Sequence, residues 1–189
     1  MGVLPPVAAL ALCGAAFLMW WMWGDLEYLV SPRAPLELGA EGDYRLEVAH
    51  SNRFAQLHGV PSARGWYARE KDGDFVLLAV ADTPLVVRRS TVPDELPGPD
   101  GKRPQPLQNP FFARGRLLSR AEAGRYAGVL AQIEAWSGQP VKWLLLADQR
   151  PGADLVTLVS FGFLTLFASL NGWLLVQGLR RPRRRVDPG

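Results

Sequence analysis

One cysteine, two histidines and no charge in either of two long apolar stretches leave this chain short of the groups that most site chemistry needs. A single cysteine, Cys13, excludes an internal disulfide framework and a cysteine-built zinc site. It lies in the first apolar stretch, so cysteine usage points to neither an oxidising nor a reducing compartment. The nucleophile elbow GxSxG, the zinc helix HExxH and the phosphate loops GxxxxGK[ST] and GxGxxG are all missing, which argues against the familiar enzyme classes. There is also little net charge to recognise a polyanion. Residues 24–154 hold 16 Lys+Arg against 17 Asp+Glu, so no nucleic-acid partner is expected.

What is present is a pair of spans. Val3–Trp23 and Leu155–Leu179 carry no charged residue, and each reaches the roughly 20 residues that cross a bilayer as a helix. Trp20, Trp21 and Trp23 at the exit of the first suit an aromatic belt. A cleaved signal peptide is the alternative, but the basic n-region and small-residue cleavage site are missing. The polar members of the second span are mostly Ser, Thr and Gly. Asn171 lies deeper and is a candidate contact to a neighbouring helix; an interfacial position beside Trp173 is the alternative. Arg180, Arg181, Arg183, Arg184 and Arg185 follow at once. Five arginines beside a span mark the cytoplasmic side, with anionic-lipid contact as a compatible second role. The expected topology is a two-pass inner-membrane protein with both termini cytoplasmic, residues 180–189 forming an Arg-rich tail, and an extracytoplasmic domain over 43–154.

That domain is long enough for one core. Residues 24–42 read as a linker. Alternation at Tyr44–His50 and Phe54–Val60 predicts half-buried strands. Trp66–Lys71 and Phe75–Val80 flank the Asp72-Gly73 hairpin signal, and Leu85–Arg89 adds a further strand. Residues 92–110 hold six prolines and read as a surface loop, with a polyproline ligand as the alternative. Phe111–Leu118 and Val141–Ala147 are further strands. Between them Ser119-Arg120-Ala121-Glu122 fits a capping box opening a helix over 120–137, with an apolar stripe of Tyr126, Val129, Leu130, Ile133 and Trp136. The fold class is α+β: two transmembrane helices flanking a small antiparallel β-barrel-like or sandwich domain with one amphipathic helix.

Candidates for chemistry are few. His50 and His58 lie near the ends of adjacent expected strands, where a hairpin would bring them together, but two imidazoles make an incomplete metal or haem set. Arg88-Arg89, ending a strand, are candidates for an anionic partner, against the plainer reading of a solvated strand end. No catalytic residue, metal or cofactor is assigned.

Pro84-Leu85-Val86-Val87-Arg88-Arg89-Ser90-Thr91-Val92-Pro93 and Phe112-Ala113-Arg114-Gly115-Arg116-Leu117, together with the order anchor, β-rich domain, anchor, resemble the Surf1 family of cytochrome oxidase assembly factors. Neither span holds a histidine of the kind that family associates with haem handling. The stretch Phe54–Gly59 followed by Phe75–Val87 is also similar to the membrane-adjacent domain of bacterial GIDE-like proteins. These resemblances imply an assembly or scaffold role. The expected function is a non-catalytic accessory or assembly factor that presents its domain to an integral membrane complex. The alternatives are a membrane-tethered enzyme or cofactor-handling protein using His50 and His58, and an envelope-sensing module.

Overall fold

Uncharged apolar runs and alternating segments fold differently, and the chain divides accordingly. Met1–Leu29 with Asp154–Gly189 form one unit, and Val30–Ala153 form the other. The computed structural model describes residues 4–70, 73–91, 109–147 and 149–180. Val3, Asp72 of the expected hairpin turn, residues 92–108 of the proline-rich stretch, and Arg181, Arg183, Arg184 and Arg185 lie outside these. Of Arg180 only the backbone is described.

In chain order the elements are α1 (Leu4–Trp21), α2 (Trp23–Leu29), β1 (Leu36–Glu37), β2 (Gly39–Ala40), β3 (Asp43–Tyr44), β4 (Arg53–Gly59), β5 (Pro61–Glu70) and β6 (Gly73–Val80). They continue with β7 (Leu85–Ser90), β8 (Phe111–Ser119), α3 (Ala127–Ser137), β9 (Trp143–Ala147) and α4 (Leu155–Arg180).

In the helical unit, α1 and α4 pack against each other. Asp154 caps α4: the Thr157 amide donates to Asp154 Oδ1 at 3.1 Å and the Thr157 hydroxyl to Oδ2 at 2.6 Å. These bonds, the hydroxyl's first, hold the Asp154 carboxyl below the ordinary carboxylate pKa. Further along, Thr165, Ser169 and Asn171 each donate to the carbonyl four residues back, at 2.8, 2.8 and 2.9 Å. Polar side chains in an apolar helix are thereby satisfied within the helix itself. Leu155–Gly178 is long and apolar enough to cross a membrane, and 6% of its apolar window is buried. Pro6–Trp21 and Trp23–Leu29 meet that criterion only as a pair, bent by 49°. The expected first span is therefore broken at Met22, and the expected linker begins as helix. Asp25 and Glu27 enter at this point and end the apolar run.

The sheet unit is not the all-antiparallel meander expected. Its seven strands run in the order β1-β4-β8-β9-β7-β6-β5, beside a separate β2-β3 pair. Two of the contacts are parallel, β1 with β4 and β7 with β9. Only Val60 separates β4 from β5, although four strands lie between them in the sheet. One strand therefore bends at Val60–Pro61 and serves both sides, so the sheet must curl to bring both sides to that corner. At the bend the Ala81 amide donates to the Val60 carbonyl at 2.9 Å, and the β5–β6 register shifts between Pro61 and Gly65.

Apolar side chains cover both faces. On one, Leu77, Val86, Leu144 and Leu146 pack with Leu130 and Ile133 of α3. On the other, Leu57, Val87, Leu117 and Leu145 pack with Leu38, while Tyr44 and Leu46 lie against them partly buried. Gly115 lets β8 approach β9 closely. A Cβ there would lie 1.8 Å from the Leu146 carbonyl oxygen, a distance no side chain tolerates.

Two local expectations fail for identifiable reasons. Of Tyr44–His50 only Tyr44 lies in a strand, the short β3, because β1 already occupies the free edge of β4; Leu46–Val48 forms a 3₁₀ turn instead. The helix begins at Ala127 rather than at 120, after a 3₁₀ turn at Gly124–Tyr126. The Arg120 amide is still tied to the Lys142 carbonyl at 2.9 Å, so the chain cannot yet turn helical. The capping box is also half-made. The Glu122 amide reaches Ser119 Oγ at 3.4 Å, but the Glu122 carboxylate accepts from the Ser51 hydroxyl, and the Ser119 amide donates to Ser51 Oγ at 2.8 Å.

Candidate functional site

Strand direction builds the most distinctive cleft. β7 and β9 run parallel with Arg88 opposite Leu146, so their C-terminal ends lie together. β8 runs against β9 with Gly115 opposite Ala147, which brings Ala113 and Arg114 to the same place. Phe54, Arg89, Ser90, Phe112, Arg114 and Arg150 line the resulting cleft of about 500 Å³, with Ala113 and Ala147. Three of these lining residues, Arg89, Arg114 and Arg150, are arginines from three separate segments.

Packing fixes one of the three. The Arg114 guanidinium lies 4.7 Å from the ring centroid of Phe54, a side chain only 3% exposed. A cation over a ring face is attracted by the ring's quadrupole, so a rigid buried phenyl restrains the mobile arginine. On the same strand pair, the Phe112 and His58 rings sit 5.0 Å apart, and Phe112 is 52% exposed. An aromatic shoulder therefore stands beside the cationic cleft.

The residues predicted from sequence are distributed differently. His50 precedes β4 and His58 is near its end, because residues 53–59 form one uninterrupted strand rather than a hairpin. The run from Arg53 to His58 alone covers about 17 Å, too far for a shared ion. Among the described residues, no three His, Cys, Asp or Glu side chains come close enough to hold a metal. Consecutive residues on a strand point to opposite faces, and this splits Arg88 from Arg89. The Arg88 guanidinium sits 4.3 Å from the Phe75 ring centroid and 6.0 Å from that of Tyr126, packed beneath the α3 side of the sheet. Only Arg89 reaches the cleft. Asn171 bonds its amide nitrogen to the Phe167 carbonyl of its own helix.

Phe54, Phe112, Arg114 and Arg150 were not singled out from the sequence. The alternation Phe112, Arg114, Arg116 was the available signal, since it places aromatic and basic side chains on one strand face. Nothing in the local sequence marks Arg150.

A second cleft of about 450 Å³ lies between the β6–β7 turn and the end of α3, where Ser62, Asp82, Thr83, Trp136 and Gln139 line it. Its Thr83 hydroxyl donates to the Val80 carbonyl at 3.1 Å and accepts the Leu85 amide at 3.3 Å, so it serves the turn. No histidine or cysteine lines this cleft to activate a hydroxyl nucleophile. Compared with protein-family models, curated proteins and solved structures, the chain matches none.

Proposed function

We propose that this chain is a two-pass inner-membrane accessory or assembly factor that holds its sheet unit on the extracytoplasmic side for an integral membrane complex. The observation that carries the reading is the outward apolar surface of α4, where Leu158, Phe163, Leu166 and Leu170 stay exposed. Surface of this kind, continued over a whole helix, is stable in lipid and unstable in water. In this reading α1 with α2, bent by 49°, is the second crossing, and Trp20, Trp21 and Trp23 beside the bend suit an aromatic belt. The arginines at 180–185 set the orientation by the positive-inside rule. The accessory role draws on the Surf1-like and GIDE-like segments. Under this reading His50 and His58 have no joint role, since β4 holds them apart.

Two measurements test it. A phosphatase–reporter fusion at Gly189 should report a cytoplasmic terminus, and one placed in the 92–108 stretch an extracytoplasmic loop. The reverse pattern refutes the topology. Purification in mild detergent should recover a stable membrane complex. Recovery of the chain alone, carrying a bound small molecule, refutes the accessory role in favour of a cofactor handler.

A further inference from the structure

We propose that the end of the sheet unit where the chain enters and leaves it is a docking surface for the anionic phospholipid head groups of a bilayer. The proposal deepens the reading above and rests on α4 crossing a membrane.

Connectivity comes first. The chain enters the unit at Val30 and leaves it at Ala153. Entry and exit lie side by side, since a Cβ on Gly152 would stand 3.7 Å from Arg33 Nη2. β9 runs toward this end and stops at Ala147, opposite Gly115 of β8. β8 extends three residues past that pair to Phe112, about 10 Å further along the strand direction. Arg150 lines the same cleft as Phe112 and Arg114, so all three belong to the end from which the chain departs. Five residues take the chain from Arg150 to the first residue of α4, Leu155, and extend at most about 18 Å. The polar layer of a bilayer is about 5–8 Å deep on each side of the hydrocarbon. A crossing α4 therefore keeps this end of the unit within reach of the head groups.

The residues at that end have the chemistry of an interface. Arg33, Arg114 and Arg150 are all exposed. A head-group layer is a plane rather than a point, so the three arginines meet it without having to converge. Each basic residue near an anionic surface adds its own attraction to the lipid. Apolar contact comes from Val30, 72% exposed, and Phe112, 52% exposed. Water solvates such side chains poorly, whereas the boundary between head groups and acyl chains accepts them, aromatic rings above all. Asp154, at the exit, has both carboxylate oxygens engaged by Thr157. Cationic and apolar groups thus share the one end of the unit that the chain itself holds near lipid.

The test uses the full chain, with Cys13→Ser, in nanodiscs. A single environment-sensitive fluorophore is attached at one introduced cysteine, and quenching by spin-labelled lipid is read. With the spin label near the head group, a fluorophore at the exposed Asn109→Cys, close to Phe112, should be quenched in discs containing phosphatidylglycerol. One at the exposed Gln139→Cys, ahead of β9, should not be. R33Q/R150Q should lower the ratio of docked to free unit about fivefold for each arginine removed. That variant leaves Arg114 on Phe54, so the packing of the sheet is untouched. Molar salt should act as the double variant does, and Phe112→Ser should weaken docking further. A fluorophore at Leu166→Cys, read with the spin label on the acyl chain, separates this proposal from the reading it rests on. Quenching there, with Asn109→Cys quenched no more than Gln139→Cys, overturns the docking surface and leaves the membrane reading standing. No quenching at Leu166→Cys overturns both. Equal quenching at Asn109→Cys in phosphatidylcholine and phosphatidylglycerol discs, unchanged by R33Q/R150Q, also overturns the proposal, because head-group charge then has no part in holding the unit.

Discussion

The two units of this chain dispose of apolar surface in opposite ways. In the sheet unit, Leu77, Val86, Leu130, Leu144 and Leu145 are fully buried, while cations and polar groups line the clefts. In the helical unit, Leu166 is 70% exposed, and its neighbours Phe163 and Leu170 also face out. Residue type differs little between these sets; period and run length differ greatly. Alternation every second residue buries one face at a time against a partner. An unbroken apolar run has no polar face to show to water, and in α4 it is long and apolar enough to cross a membrane. Each unit is therefore expected to fail in its own way.

That contrast can be broken from either side. The largest effect is expected for Gly115→Val, which drives a side chain into the Leu146 carbonyl and should cost more than about 4 kcal/mol. Slow amide exchange should vanish from β8 and β9 while α4 keeps its protection; loss of both would show that the units do not fail separately. Leu166→Arg attacks the other side. A charge on an outward position near mid-helix should cost about 2.5–3.5 kcal/mol of insertion. Carbonate extraction should then release the chain while the unfolding midpoint of the sheet unit is unchanged.

Smaller changes sharpen the comparison within each unit. Asn52 is buried, has a left-handed φ of 57°, and accepts from Arg116 Nε at 3.0 Å and from its Nη2 at 2.6 Å. Asn52→Ala should cost about 1–3 kcal/mol by denaturant unfolding, and Asn52→Gly should restore the backbone share but not the hydrogen bonds. Asp154→Ala should cost about 1 kcal/mol as a lost helix cap. Its pH dependence has a definite sign. Because the folded carboxyl is held below its ordinary pKa, the cap's contribution is fully present above that ordinary value. It fades as pH falls through the lower folded one. Exchange at the Thr157 amide should quicken over that acid range in the native chain and show no such step in Asp154→Asn.

Much of the sheet was legible because strand periodicity is a local signal. β4, β6, β7 and β8 follow their alternating or β-branched runs, and α3 carries the Leu130 and Ile133 stripe. Pairing partners were not legible. Nothing near Leu36 indicates that it will lie parallel to Ala55, nor near Leu85 that it will lie beside Trp143. The errors at Tyr44–His50 and at the start of α3 share that cause, since in each a distant partner outcompetes the local preference. The cleft was half legible. Arg89 was named from its strand end, whereas Arg114 and Arg150 join it only through the order β8-β9-β7.

The bend at Val60–Pro61 carries a further consequence, for the fidelity of assembly. Registers on the two sides of an ordinary open sheet are set independently, so a slip on one side leaves the other intact. Here a one-residue slip of β4 along β8 would be passed through Val60 into β5, turning the side chains of both segments to the wrong faces. The irregular register between Pro61 and Gly65 is the one place where such an error could be absorbed. Correct pairing at either end of the sheet thus proofreads the other.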